Sequence, residues 1–230
     1  EFSDVTFACE NGLLEMVNAP EGSKVIFLTA SGTAGMEAAV MNLLNKDDHA
    51  LVVNGGGFGA RFVDICATHA IPLTNFKVKN TNLTDIESLA PDDTYTALVV
   101  NAHETSVGHL YNLDAMGEYA IKNDMLYIVD AISMLVTDPL DMQQSNIDVV
   151  IASTQKGLAL PPGLTMVILA PKALKKLQNV NSLYFNFKDY LSNGERGQTP
   201  YTPAVTIMLQ LHARLNQIKK RGGFAQSIAN

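Results

Sequence analysis

A lysine and an aspartate in this chain of 230 residues each follow an apolar run, at positions where their side chains could act together. Asp130 closes the run 126–129, and Lys156 comes a few residues after the run 149–152. An aspartate beside a buried strand needs a partner, because an unpaired buried charge is unfavourable. A protonated ring nitrogen would be such a partner, and an amine among apolar neighbours is suited to forming an imine. The two residues therefore suggest chemistry on a ring with an electron-accepting nitrogen.

Both residues also have simpler interpretations. Asp130 could cap the first turn of a helix, which is a common use of aspartate after a strand. Lys156 could extend its amine into solvent, and for a lysine taken at random this is the better interpretation. The choice between these alternatives depends on the motifs around them.

Two further motifs follow apolar runs and offer groups that could bind a cofactor. Ser31, Gly32 and Thr33 stand where a helix begins, so that free N–H groups and the helix dipole would attract an anion. The alternative is an ordinary helix cap. The glycine cluster 55–59 lacks the third glycine of the G-x-G-x-x-G motif of dinucleotide sites, but it presents Phe58. This phenylalanine could stack on a flat cofactor or belong to the core.

A third strand end adds an imidazole and a hydroxyl group, from His103 and Thr105. A histidine could bind a metal ion, but no companion ligands stand at the usual spacings, so no metal site is expected. One site built from several strand ends accounts for all of these polar residues.

A repeating order of strand, turn and amphipathic helix would position these side chains. Apolar runs without alternation are typical of strands buried on both faces, and their alternation with helices predicts a mainly parallel sheet. The pattern indicates one α/β domain, with its ligand at the carboxyl ends of the strands. We expect strands at 25–28, 50–53, 97–100, 126–130, 149–152 and 165–169, and helices at 34–44, 113–123 and 204–220.

The composition of the chain indicates which classes of binding partner and which cellular setting to expect. The net charge of −7 and the pI near 5.1 argue against a nucleic-acid-binding protein, which needs a basic surface. No apolar run approaches the roughly 20 residues that cross a membrane. Two cysteines cannot form a disulfide framework and favour a reduced, cytoplasmic setting. The start at Glu1 and a helical pattern that stops at Asn230 lead us to expect truncation at both ends.

The motifs occur in the order Ser31-Gly32-Thr33, Gly57-Phe58-Gly59-Ala60-Arg61, His103-Glu104-Thr105-Ser106-Val107-Gly108, Asp130-Ala131-Ile132-Ser133, Ser153-Thr154-Gln155-Lys156 and Thr199-Pro200-Tyr201-Thr202-Pro203. This ordered set resembles the class V aminotransferases, which are fold-type I enzymes that use pyridoxal 5'-phosphate. The likeness is greatest to alanine/serine–glyoxylate and 2-aminoethylphosphonate–pyruvate transaminases. It implies that residues 1–230 are the cofactor-binding large domain, with a seven-stranded sheet covered by helices on both faces. Residues 204–230 would lead to a missing C-terminal domain.

The resemblance also implies a role for each residue around the cofactor ring. Lys156 would bind the cofactor as a Schiff base and move a proton at the substrate α-carbon. Asp130 would pair with the ring nitrogen, Phe58 would stack on the ring face, and Thr105 would bond near the ring hydroxyl group.

Phosphate binding is assigned by the same resemblance. The phosphate would be held by four residues, Ser31, Gly32, Thr33 and Gln155. Thr199 and Thr202 would reach the phosphate of a neighbouring subunit, which implies a homodimer. The arginine that binds the substrate carboxylate is expected in the missing C-terminal part.

The implied activity is transfer of an amino group from a small amino acid, of the alanine or serine type, to glyoxylate or pyruvate. Alternatives within the family are 2-aminoethylphosphonate–pyruvate transamination and lyase or desulfurase chemistry. A desulfurase needs a mobile cysteine, and neither Cys9 nor Cys66 is placed for that role. A hypothesis from a different class is a nucleotide-binding α/β module without a covalent cofactor.

Overall fold

The computed structural model describes residues 1–78 and 94–223, which contain one large sheet with helices on both faces. Residues 224–230 of the predicted C-terminal segment lie outside the described residues. The predicted helix at 204–220 is present as Val205–Lys220.

The main sheet has seven strands and is mainly parallel, which confirms the predicted fold class. The described strands are β1 (Lys24–Leu28), β2 (Ala50–Asn54), β3 (Leu73–Lys77), β4 (Ala97–Asn101), β5 (His103–Glu104), β6 (His109–Leu110), β7 (Leu126–Asp130), β8 (Val149–Ser153) and β9 (Thr165–Leu169). The order across the sheet is β1-β9-β8-β7-β4-β2-β3, while β5 and β6 form a separate hairpin. Strand β9 is antiparallel to both of its neighbours, β1 and β8.

Helices cover both faces of this sheet. Those in the described part of the chain are α1 (Phe2–Met16), α2 (Gly32–Leu43), α3 (Gly57–Thr68), α4 (Leu113–Lys122), α5 (Pro171–Lys176), α6 (Phe187–Gly194) and α7 (Val205–Lys220). Helices α1, α4 and α7 contribute to the core on one face, and α2, α3 and α6 contribute to the core on the other. None of these described helices has both the length and the apolar composition needed to span a membrane.

Strand β7 shows why the apolar runs lack alternation. Tyr127 and Val129 point into the core on one face, and Leu126 and Ile128 point into the core on the other. Every residue of β7 is buried, because side chains alternate between two covered faces. The polar residue Asp130 stands where the strand leaves the sheet.

Strand β3 and helix α1 are among the elements that were not predicted from the sequence. Among the described strands, β3 lies at the edge of the sheet and pairs with β2 alone, so it needs no continuous apolar run. Helix α1 buries Thr6, Cys9 and Leu13 at helical spacing and packs on α7, with Gly12 beside the Leu215 side chain. Both elements depend on partners that are distant in sequence.

Gly117 is required for the close approach of α4 to the segment that precedes β8. A Cβ atom at this position would overlap the carbonyl oxygen of Ser145, which is backbone and cannot turn away. We expect Gly117→Ala to lower the free energy of unfolding by about 2–3 kcal/mol, measured by denaturant titration. Gly194→Ala in α6 is the matched control, because nothing lies within 4 Å of its Cβ position. Equal stabilities of the two variants would contradict this interpretation.

Candidate active site

A pocket of about 200 Å³ opens at the carboxyl ends of the parallel strands. Seven of the residues predicted to form the site line it: Ser31, Gly32, Thr33, Phe58, Asp130, Gln155 and Lys156. Five further residues that were not assigned a role also line it: Met36, Arg61, Asn101, Ile132 and Ser133. The carboxyl ends of β1, β4, β7 and β8 meet at one edge, so residues far apart in sequence share this pocket.

Ser31, Gly32 and Thr33 form the start of helix α2, directly after β1. Ser31 occupies the N-cap position, but its side chain makes no capping hydrogen bond, so its hydroxyl group is available. A side chain at Gly32 would require Ile132 to shift, since its Cβ would lie 2.5 Å from Ile132 Cδ1 and 3.2 Å from Ser153 Oγ. The first-turn N–H groups of a helix have no intrahelical acceptor. This helix start is therefore suited to holding an anion.

Asp130 lies at the end of β7 with 2% of its surface exposed. Its Oδ1 accepts a hydrogen bond from the Ile132 N–H group at 2.9 Å, and no described helix begins at Ala131. Burial raises the pKa of the Asp130 carboxyl to about 6, although hydrogen bonds from Ile132 and Asn101 and the charge of Arg61 lower it. Asp130 forms no salt bridge with a described residue, so a cationic ligand would be its partner.

Phe58 stands in the first turn of α3 and is half-buried at the pocket rather than in either core cluster. The Arg61 guanidinium lies over the Phe58 ring, 4.8 Å from its centroid, which is a cation–π arrangement. Arg61 also donates a hydrogen bond to Thr33 Oγ1 at 3.1 Å. This arginine connects the ring of Phe58 with the anion-binding end of α2.

A buried carboxylate, that of Glu104 in β5, holds the start of α3 in place. It accepts hydrogen bonds from the Gly59 N–H group at 2.9 Å and from the Phe58 N–H group at 3.2 Å. It also accepts from the backbone and hydroxyl groups of Ser106. Glu104 is fully buried, as is Gly59, whereas Phe58 is half-buried and Ser106 is exposed. Sequence reasoning missed this role, because Glu104 and Phe58 are 46 residues apart.

Removing the Glu104 carboxylate should destabilise the protein. We expect Glu104→Ala to lower the free energy of unfolding by about 2–4 kcal/mol, because the buried Gly59 N–H group and the half-buried Phe58 N–H group would lose their acceptor and the fully buried side chain would leave a cavity. The measurement is chemical unfolding of the cofactor-free protein. Glu118→Ala, at an exposed position on α4, should change stability by less than about 0.5 kcal/mol. A similar small effect in Glu104→Ala would mean that water replaces the carboxylate.

The side chain of Lys156 is exposed and makes no hydrogen bond or ion pair with any described residue. Met36, Phe58 and Ile132 line the same pocket, but the exposed lysine is not enclosed by them. The neighbouring Gln155 accepts a hydrogen bond from Ser153 Oγ at 2.8 Å. The turn after Lys156 is fixed by a hydrogen bond from the Ala159 N–H group to the Lys156 carbonyl oxygen at 2.8 Å.

Three predicted residues are not brought into this pocket. Thr105 is exposed in the turn between β5 and β6. The Thr199 hydroxyl donates to the Tyr201 carbonyl oxygen at 2.7 Å, and the Thr202 carbonyl accepts from Thr29 Oγ1 at 3.4 Å. The roles given to these residues by the family resemblance stay predictions. His103 also lies outside the pocket, with its Nε2 3.0 Å from an Asp138 carboxylate oxygen.

The pocket as a whole fits a flat, charged ligand. It combines a helix start that can hold an anion, an aromatic ring, and a buried carboxylate and an exposed amine that form no salt bridge with any residue in 1–78 or 94–223. A phosphorylated pyridine with an aldehyde group, such as pyridoxal phosphate, matches each of these groups in chemistry.

Comparisons with known proteins agree with this chemistry. The profile of the class V aminotransferases matches residues 1–222. An uncharacterized aminotransferase of Methanocaldococcus jannaschii is 32% identical over 205 residues, covering 85% of this chain and 53% of the relative. The 2-aminoethylphosphonate–pyruvate transaminase of Pseudomonas aeruginosa is 29% identical over 229 residues, covering 97% of this chain and 62% of the relative.

Solved structures give the same result. The aspartate aminotransferase of subgroup IV from Thermus thermophilus superimposes with a TM-score of 0.90 at 27% identity, covering 99% of this chain and 64% of that structure. This chain thus spans between about half and two thirds of the length of these relatives. It belongs to the class V aminotransferases, a family whose cofactor is pyridoxal phosphate.

Proposed function

We propose that the protein is a transaminase that moves an amino group from a small amino acid, of the alanine or serine type, to a 2-oxo acid such as glyoxylate or pyruvate. The observation that carries this proposal is the free amine of Lys156 in the same pocket as the buried carboxylate of Asp130. A non-catalytic nucleotide-binding module would need neither group.

Pyridoxal phosphate, when bound, supplies an aldehyde that condenses with amines and a ring that delocalises negative charge. Lys156 would hold the cofactor through its Nζ atom and would then move a proton at the α-carbon of the substrate. The Asp130 carboxylate would hold a proton on the ring nitrogen. Phe58 would pack on the ring face, and Thr105 would bond near the ring hydroxyl group.

The anion-binding groups would hold the cofactor phosphate. These are the Ser31 hydroxyl, the first-turn N–H groups of Gly32 and Thr33, and the Gln155 side chain. Thr199 and Thr202 would serve the phosphate of a second subunit, so the active form would be a homodimer with shared sites. A cytoplasmic location would suit the two free cysteines.

The amino donor can be tested by single half-reactions. The protein loaded with pyridoxal phosphate is mixed separately with L-alanine, L-serine and 2-aminoethylphosphonate, and the absorption of the bound cofactor is followed. Conversion by alanine or serine, reversed by glyoxylate or pyruvate, is the expected result. Conversion by 2-aminoethylphosphonate alone would favour phosphonate transamination, the activity named for the Pseudomonas aeruginosa relative. No conversion by any donor would contradict the proposal.

Desulfurase chemistry finds no support in the two cysteines. Cys9 and Cys66 are fully buried in helices, and neither lines the pocket. Burial raises the pKa of each thiol to about 12, so neither forms a thiolate near neutral pH.

A further inference from the structure

Asn101 is a buried pocket residue for which the family resemblance gives no role. It ends β4 directly beside Asp130, its partner in the register of β4 and β7. Its side chain lines the pocket, although only 4% of the residue is exposed. Its Nδ2 group donates to the His103 carbonyl oxygen at 2.8 Å and to Asp130 Oδ2 at 3.4 Å.

The amide oxygen of Asn101 lacks a partner. Oδ1 is buried and accepts no hydrogen bond from any residue in the described part of the chain. The orientation of the amide is fixed by its neighbours, because the opposite orientation would place Oδ1 against two acceptor oxygens, those of His103 and Asp130. A buried acceptor without a donor is unfavourable, so the cofactor-free site contains one unmatched acceptor next to Asp130.

We propose that Asn101 is a further cofactor-binding residue, whose Oδ1 accepts a hydrogen bond from the ring N–H group of bound pyridoxal phosphate beside the Asp130 carboxylate. This inference rests on the proposed function. The buried carboxylate would attract a protonated ring nitrogen, and the neighbouring amide oxygen is the unmatched acceptor at that place. Asn101 would then make two interactions at this place: its Oδ1 would accept from the ring N–H group, and its Nδ2 group donates a hydrogen bond to Asp130.

The test uses two ligands that cannot react with Lys156. One is 4'-deoxypyridoxine 5'-phosphate, which keeps the ring nitrogen but has no aldehyde. The other is its analogue in which C–H replaces the ring nitrogen. Dissociation constants are measured by calorimetry for wild type, Asn101→Ala and Asn101→Leu, the last of which keeps the side-chain volume. Asn54→Ala is the matched control, because Asn54 ends the adjacent strand β2 outside the pocket.

We expect both Asn101 variants to bind the pyridine ligand about fivefold more weakly than wild type, with a smaller change for the C–H analogue. Asn54→Ala should bind as wild type does. An equal loss for both ligands would mean a purely structural effect and would overturn the inference, as would no loss for either. Failure of wild type to bind the pyridine ligand would instead overturn the proposed function and this inference together.

Discussion

Lys156→Ala is expected to abolish covalent attachment of pyridoxal phosphate and to lower transamination by about 10³-fold or more. Lys156 is the one amine among the described residues that line the pocket; the other cation there, Arg61, has a guanidinium group that cannot be deprotonated in a protein. Loss of its Nζ atom would remove both the proposed attachment point and the group that we propose to move the proton. The folded structure should persist, because this exposed side chain makes no hydrogen bond or ion pair with any described residue.

Attachment can be measured by borohydride reduction followed by peptide mass mapping. Wild type should carry the cofactor on the peptide that contains Lys156, and Lys156→Ala should carry none. Lys175→Ala, an exposed lysine on α5, is the matched control and should be labelled and active as wild type is. Labelling of Lys156→Ala at another lysine, with activity kept, would refute the assignment. Wild type that binds a nucleotide and takes no label would favour the nucleotide-binding module.

Asp130→Asn should have opposite effects on stability and on activity. Burial raises the pKa of Asp130 in the folded protein to about 6 from 3.8, so the folded state binds this proton more tightly than the unfolded chain does. The stabilising contribution of protonation is therefore complete below pH 3.8 and is lost as the pH rises through about 6. Above that pH, wild type without cofactor contains a buried charge that asparagine lacks.

We expect cofactor-free Asp130→Asn to be more stable than wild type at pH 8, with the difference disappearing towards pH 4. Thermal unfolding of both proteins across this range measures the effect. Transamination should fall by about 10²-fold or more, because the ring nitrogen loses its anionic partner. Parallel stability curves for the two proteins would show that Asp130 does not titrate in this range. Unchanged activity would show that it does not pair with the ring.

Much of the fold could be predicted from strands that are buried on both faces. The run 126–130 could be predicted as a strand because it is short, apolar and without alternation, and all five residues of β7 are buried. The polar residues Ser31, Asp130 and Lys156 could be placed at one edge, since strand direction fixes where each run ends. These predictions rest on local sequence alone.

The supporting residues could not be predicted in this way. Glu104 accepts hydrogen bonds from the N–H groups of Phe58 and Gly59. The role that we propose for Asn101 depends on its position beside Asp130 in the sheet. Each contact joins strands or helices whose spatial neighbours are set by the order of the sheet. The surroundings of Lys156 were predicted as apolar because Leu158 and Leu160 follow it, but its side chain points to the open pocket.

The antiparallel direction of β9 determines the form of the loop that carries Lys156. Because β8 and β9 are adjacent, with Ser153 opposite Thr165, the segment 154–164 is a closed loop anchored at both ends in the sheet. Thr154 ties the loop across its base through the Leu164 carbonyl oxygen, and Gly157 packs against the Leu135 backbone. The backbone under the lysine is thus held at both ends of the loop and at Gly157. The two tasks that we propose for the amine, attachment and proton transfer, would then rely on rotations of the four-carbon side chain of Lys156.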